Sequence, residues 1–300
     1  MFVLTFATNL PTAHATADGY IRKDLLVIGR TDSAIVFLKA DQIALENLDN
    51  RFDLMELSLK DGKYRLVASQ ETITDVSLSN DYKEKRIVKS TGAVSLANYL
   101  SRDDFQTIPR HGNRAWIWGS ETYRWFADER GLRMECPSLS VDAQIDTPPR
   151  PMGHKLDKEE KLLVDDWYEL PEGTFLIYRT TGMTGFSHGD YRAALWAWLP
   201  AEKTRHASGV LANKIGLKLH KERKQYREAI PYFRAAADNG ITIARYNLAC
   251  GLARIGATAD AIKELREYRS ADPEGFQKRI GTDPDLESLR DLPAFKALTP

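Results

Sequence analysis

The spacing of apolar residues changes once along this chain of 300 residues, close to Pro200. Before Pro200, short alternating or β-branched apolar runs are separated by turn-forming residues, a pattern typical of strands. From Thr204 onward, apolar residues recur every three or four positions, and Ala, Leu, Lys, Arg and Glu dominate, a pattern typical of helices. We therefore expect an α+β chain of two domains, a β-rich domain over residues 18–203 and a helical domain over residues 204–300.

The firmest strand pair is predicted over residues 52–59 and 64–68. Residues 52–59 alternate apolar with polar, and Asp61 and Gly62 supply a hairpin turn. With residues 25–29 and 34–38 these strands would form an antiparallel meander like a propeller blade, although it does not repeat at a fixed spacing. A helix is expected over residues 91–105, and further strands over residues 114–118, 122–126, 162–164, 174–178 and 191–199. The β-rich domain is thus predicted to be a twisted antiparallel sheet or a sandwich.

The first residues resemble the end of a secretory signal. Residues 1–7 are mostly apolar, and Ala13 and Ala15 place small residues at alternate positions, as signal peptidase requires. We therefore expect residues 1–17 to be a signal-peptide remnant and the protein to be periplasmic or secreted, in a bacterium. No Lys or Arg precedes Arg22, so a buried first strand in a cytoplasmic protein stays open as the alternative. Nothing later reaches the roughly 18 apolar residues of a membrane span.

Composition excludes several classes of protein. The 42 Lys and Arg balance 42 Asp and Glu, so no net charge draws the chain onto nucleic acid. Two cysteines, Cys136 and Cys250, are too few for a disulfide scaffold or a zinc ribbon, although a bond between them is left open. The six histidines show no metal-ligand spacing, and no metal and no cofactor are expected.

Small residues recur at helical spacing after residue 204. Ala229, Phe233 and Ala236 are four and three positions apart, and Ala212 and Gly216 repeat this spacing one predicted helix earlier. Small residues let two antiparallel helices approach closely while the aromatic ring fills the gap. The pattern resembles the tetratricopeptide repeat family, whose second helix carries small and aromatic residues at these positions.

A second copy of the pattern follows the first. Ala261 lies 32 residues after Ala229, close to the family repeat of about 34. The copy departs from the family where Tyr268 replaces the alanine expected at the position of Ala236. The tail over residues 283–298 also resembles the segment that often closes bacterial arrays of this family. Its apolar residues would cover the last groove: Leu286, Leu289, Phe295 and Leu298.

The resemblance implies a scaffold that binds a partner protein or peptide on a concave helical face. From Thr204 to Pro300 the chain has 17 Lys and Arg against 12 Asp and Glu, which favours an acidic peptide. Much of this charge lies in residues 218–227, a run whose alternative interpretation is a solvated helix end. The residues predicted to line the groove are Asn213, Lys214, Lys218, Arg245 and Asn247.

Two features of the β-rich domain favour other functions. Gly185–Gly189 matches the G-x-S-x-G motif, which would make Ser187 the nucleophile of a serine hydrolase. The motif is not followed by a predicted helix, so a glycine-rich hairpin loop is the preferred interpretation. A second set of residues would stack on cell-wall sugars unless the rings form a shared core: Trp116, Trp118 and Trp125. We therefore expect a non-enzymatic scaffold, with an enzyme or a glycan-binding protein as the alternative.

Overall fold

The computed structural model describes residues 20–44, 47–75, 87–91, 101–109, 116–118, 121–128, 131–145, 162–183 and 190–298. They fall into two compact units, the first within residues 1–109 and 179–195 and the second within residues 110–178 and 196–300. The predicted signal-peptide remnant and residues 92–100 lie outside the described residues. Thr91 belongs to a strand and residues 101–105 form turns, so the described ends of the helix predicted over residues 91–105 are not helical.

Most of the described chain as far as Pro200 is strand. In chain order they are β1 (Tyr20–Arg30), β2 (Ala34–Ala44), β3 (Asn47–Ser58), β4 (Tyr64–Asp75), β5 (Ile87–Thr91), β6 (Trp116–Trp118), β7 (Glu121–Asp128), β8 (Gly131–Cys136), β9 (Val141–Ile145), β10 (Leu162–Leu170), β11 (Gly173–Met183) and β12 (Asp190–Pro200). Every described pair is antiparallel except the pair of β1 and β12, which is parallel. The predicted antiparallel, β-rich first part of the chain is confirmed.

The first unit is built on the strand order β5-β4-β3-β2-β1-β12. Gly62, with φ of 66°, forms the predicted turn between β3 and β4, a backbone conformation that glycine adopts without strain. The Thr31 hydroxyl closes the turn between β1 and β2, because it accepts a hydrogen bond from the Ala34 amide at 3.2 Å. Val36 and Leu54 pack on one face of this meander against Phe105.

The second unit carries the order β11-β10-β7-β8-β9, with β6 paired to β7, and then all the described helices. The helices are α1 (Ala201–Leu217), α2 (Tyr226–Asp238), α3 (Thr242–Arg254), α4 (Thr258–Ala271), α5 (Pro273–Ile280) and α6 (Pro293–Lys296). A π-helical turn, Lys218–Glu222, extends α1, and a 3₁₀ turn, Pro284–Leu289, precedes α6. We call residues 201–298 the helical part and Pro284–Leu289 the tail turn.

Helix follows strand directly at the boundary that the sequence predicts. Strand β12 ends at Pro200 and α1 begins at Ala201. In the helical part each of α1 to α3 packs against the next helix in sequence. Gly240 and Gly256, with φ of 84° and 78°, follow α2 and α3 and end them as left-handed glycines commonly do. Among the described residues no helix has the length and apolarity that a membrane crossing requires.

Candidate binding site of the helical part

The first three helices meet through glycine and alanine. A Cβ at Gly216 would lie 2.6 Å from the ring of Phe233, which is fully buried. A Cβ at Gly209 would lie 2.8 Å from both Asn239 and Ile241. The alanines buried at this contact are Ala212, Ala236, Ala237 and Ala244. The small residues are therefore what allows α1, α2 and α3 to lie so close together.

The opposite side of α1 packs on strands β8 and β9. Ser208 lies 3.9 Å from the sulfur of Met134, and the Lys214 ammonium donates a 2.6 Å hydrogen bond to the carbonyl oxygen of Asp142. Since Gly209, Ala212 and Gly216 face the other helices, the sheet covers the side of α1 that those helices leave uncovered.

The predicted groove residues of α1 and its extension have partners within the chain. Besides its bond to the Asp142 carbonyl, the Lys214 ammonium lies 3.8 Å from the Asp142 carboxylate. The Lys218 ammonium lies 2.7 Å from Glu222, one helical turn later. Both lysine side chains remain about a third to a half exposed, at 46% and 35%. A partner could therefore reach them only in competition with these pairs.

The predicted groove residues of α3 form ion pairs and hydrogen bonds with α4 and α1. Arg245 forms ion pairs with Glu264, at 3.1 Å, and with Glu267, both on α4. The amide of Asn247 donates a 2.8 Å hydrogen bond to the side-chain oxygen of Asn213 on α1. The structure thus brings Asn213 and Asn247 together, and it places Arg245 on a different side of α3. Partner binding by these residues stays a prediction.

A polar cluster that the sequence did not predict lies where the tail turn meets α3. The Tyr246 hydroxyl donates a 2.9 Å hydrogen bond to Asp283 Oδ2, and the Cys250 sulfur lies 3.8 Å from the same oxygen. His220 Nε2 lies 2.8 Å from Asp285 Oδ2, and the ring is only 4% exposed. Two segments distant in sequence, α3 and the extension of α1, therefore converge on two carboxylates of the tail.

Arg254 completes this polar cluster at the surface. Its guanidinium lies 4.8 Å from the ring centroid of Tyr226 and donates a 2.9 Å hydrogen bond to the Tyr226 hydroxyl. Its Nε is 3.7 Å from Asp285 Oδ1, longer than a charged hydrogen bond. The ring of Tyr226 stands edge-on to His220, with centroids 4.9 Å apart. A cleft of about 350 Å³ opens here, lined by Ala253, Arg254, Pro284, Asp285, Glu287 and Ser288.

Burial sets the protonation of this cluster. Burial first, and then the charge of Asp283 and Asp285, raise the pKa of the Cys250 thiol well above its usual value. Burial likewise raises the pKa of the Tyr246 hydroxyl, which sits beside Cys250 and Asp283. Both groups therefore stay protonated at neutral pH and act as hydrogen-bond donors to the Asp283 carboxylate. A protonated, buried thiol is a poor nucleophile.

Three ligand-type atoms of this cluster lie close enough together to meet one ion. Cys250, Asp283 and Asp285 each place one such atom within 4.8 Å of the others. Both carboxylates, however, already accept hydrogen bonds from the chain: Asp283 Oδ1 accepts from the Asp285 amide at 2.9 Å, and Asp285 lies against His220. The arrangement therefore serves chiefly to hold the tail turn on α3.

One sequence signal for this cluster exists. Tyr246, Cys250 and Arg254 follow one another at intervals of four, so they share one face of α3. Their polar atoms interrupt a helix that is otherwise Ala, Gly and Leu on its buried positions. The partner carboxylates of Asp283 and Asp285 could not be assigned from this spacing, because they lie about three dozen residues further on.

The β-rich alternatives are only partly covered by the structure. Ser187 and its motif lie outside the described residues, as do the side chains of Trp116 and Trp118. Trp125 is 3% exposed and belongs to the core, the outcome that the strand pattern left open. Cys136 and Cys250 are both buried, and no disulfide joins them.

Comparisons with known proteins add no family to this description. No protein-family model matches the sequence, and a search of the curated proteins finds no match.

Proposed function

We propose that the helical part is a tetratricopeptide-like array and that the protein is a non-enzymatic scaffold. The array would bind an acidic segment of another protein. The single observation that carries the proposal is the contact of Gly216 with Phe233. The small-residue spacing on which the resemblance rests coincides there with closely nested helices.

The two ends of the helical part support this proposal. Arrays of two repeats expose apolar surface at both ends unless other structure covers it. Strands β8 and β9 pack on the side of α1 turned away from α2 and α3. At the other end the tail buries four apolar side chains, Leu286, Leu289, Phe295 and Leu298. Two repeats closed in this way can serve as a stable module.

The densest run of basic residues available to an acidic partner is residues 218–227, which lead from the π-helical turn into the first turn of α2 and which we call the basic loop. Lys221, Lys224 and Arg227 are exposed and face solvent. The basic loop adjoins the polar cluster on α3, because His220 and Tyr226 belong to the loop and contact each other there. Acidic segments would be attracted first by the loop and then meet the cleft beside Arg254.

Export of the protein is part of the proposal. It is supported by the apolar residues 1–7 and by Ala13 and Ala15.

Affinity capture from the native cell extract with the tagged full chain tests the proposed function. The charge-reversed variant Lys221→Glu/Arg227→Glu should retain captured proteins about tenfold less well, because like charges then face an acidic partner. The matched control Lys263→Glu/Arg266→Glu changes the same charge on α4, at two exposed positions away from the basic loop. Mass spectrometry of the eluates reads out both. Equal retention by the two variants, or no captured protein at all, overturns the proposal.

A further inference from the structure

The tail turn packs one side on α3 and exposes the other side to solvent, as a bound peptide does. Leu286 and Leu289 are fully buried, whereas Pro284, Glu287 and Ser288 on the outer side are exposed. Its two ends are fixed differently: Asp283 caps the turn by accepting from the Asp285 amide, and apolar burial holds the later residues. The segment therefore presents a short acidic turn inward and a solvated edge outward.

The carboxylates of this turn are recognised by side chains from two other segments. Tyr246, Cys250 and Arg254 come from α3, and His220 comes from the end of α1. Hydrogen bonds to ionised acceptors are about twice as strong as neutral ones, so these contacts carry much of the attachment. Donors that converge from separate elements on two carboxylates form a receptor for acidic peptide, whatever chain supplies the acid.

The resident turn does not use this receptor fully. The Nε atom of Arg254 lies 3.7 Å from Asp285 Oδ1, and the guanidinium donates its hydrogen bond to the Tyr226 hydroxyl. Buried His220 has no partner at its second ring nitrogen, Nδ1. The cleft of about 350 Å³ opens between Arg254 and the tail turn. Because the cleft leaves room beside the occupant and the Arg254 side chain is 43% exposed there, a second acidic segment can begin to bind before the first has left.

We propose that this face of α3 is the receptor for an acidic turn of the Asp-Pro-Asp type in a partner protein. The chain's own tail turn occupies it until such a partner displaces it. The inference rests on the proposed function and names its ligand: a peptide in which two carboxylates flank a proline, followed by leucine. The tail turn is then an internal competitor, which a partner must displace in order to bind.

A labelled peptide with the sequence of residues 282–291, TDPDLESLRD, tests the receptor by fluorescence anisotropy. The full-length variant Asp283→Asn/Asp285→Asn weakens the internal competitor without changing side-chain size. It should bind the peptide at least about tenfold more tightly than the wild-type chain does. The control Asp291→Asn, at a fully exposed tail position, should bind like wild type. A peptide with Asn at the positions of Asp283 and Asp285 should not bind. If the Asp283→Asn/Asp285→Asn variant and the wild-type chain bind the peptide with equal affinity, the inference is overturned.

If the Asp283→Asn/Asp285→Asn variant unfolds, hydrogen exchange on the wild-type chain still tests the inference. Saturating peptide should accelerate amide exchange over residues 284–291, the segment that the peptide matches, and leave the amides of α3 protected, because one acidic turn replaces another. Unchanged exchange over the tail overturns the inference.

Failure of this inference can be distinguished from failure of the proposed function. If the chain does not bind the labelled peptide but the Lys221→Glu/Arg227→Glu variant still loses captured proteins, only the receptor on α3 is refuted. A chain that captures no protein refutes the proposed function.

Discussion

Gly216 is the residue on which the packing of α1 against α2 depends most directly. The Phe233 ring fills the space that a side chain would need, and the ring is enclosed on all sides. Overpacking in a dense core forces side chains and backbone to shift, which costs stability.

Gly216→Ala should therefore lower the free energy of unfolding by about 1–3 kcal/mol. Thermal or urea denaturation followed by circular dichroism measures this. Gly281→Ala is the matched control, since no heavy atom lies within 4 Å of its Cβ and its φ is not left-handed. That change should stay within about 0.5 kcal/mol. Similar losses from the two substitutions would show that α1 and α2 are not closely nested.

The two cysteines make a second prediction for single residues. Cys136 and Cys250 are buried and not joined by a disulfide, and burial raises the pKa of the Cys250 thiol. Ellman's reagent at pH 8 should find almost no reactive thiol in the native protein and two thiols per chain after denaturation without reductant. A denatured chain that yields none would establish a disulfide, and a native thiol that reacts at once would contradict the burial.

At the scale of elements, the tail turn is fastened to α3 by a buried polar contact. The Tyr246 hydroxyl and Asp283 lie 37 residues apart in sequence and 2.9 Å apart in space. Removing one partner of such a contact leaves the other without its hydrogen bond, which usually costs more than the bond contributes.

Tyr246→Phe should thus destabilise the helical part by about 1–3 kcal/mol. Tyr226→Phe is the matched control, because its hydroxyl only accepts from the half-exposed Arg254. Its effect should be about 0.5 kcal/mol or less. Urea denaturation measures both variants, and a larger effect at Tyr226 would mean that the tail turn is not held through Asp283.

Elements differ in how far the sequence predicts them. The pair of β3 and β4 follows from local information, alternation and the Asp61-Gly62 turn. The parallel pairing of β1 with β12 joins residues about 170 positions apart, and no local pattern specifies it. The helices follow from their spacing, whereas the polar cluster depends on where the tail turn returns to α3. Local chemistry predicts elements, and packing at long range decides which side chains meet.

For the whole molecule, charge distribution gives the helical part its proposed role. The chain as a whole is neutral, with 42 groups of each sign, but residues 204–300 carry 17 basic and 12 acidic groups. The predicted groove residues pair with Asp142, Glu222 and helix α4, and the densest run of exposed positive charge in the helical part is the basic loop. An acidic partner should therefore meet the protein there.

Salt tests this distribution. Raising the ionic strength from about 0.05 M to 0.5 M shortens the screening length from roughly 14 Å to about 4 Å. Retention of a captured acidic partner should fall with added salt, and should fall less for the Lys221→Glu/Arg227→Glu variant, whose attraction is already lost. Salt-independent retention would point to an apolar interface instead. Capture repeated at stepped salt concentrations measures this.

Site-specific photo-crosslinking tests the central claim most directly. A photoreactive amino acid is placed at position 221 in the basic loop or, as control, at position 263 on α4, in the full chain within its native cells. The account predicts discrete protein adducts from position 221 that lose intensity when free acidic peptide is added, and none of these adducts from position 263. No adduct from position 221, or the same adducts from both positions, would contradict it.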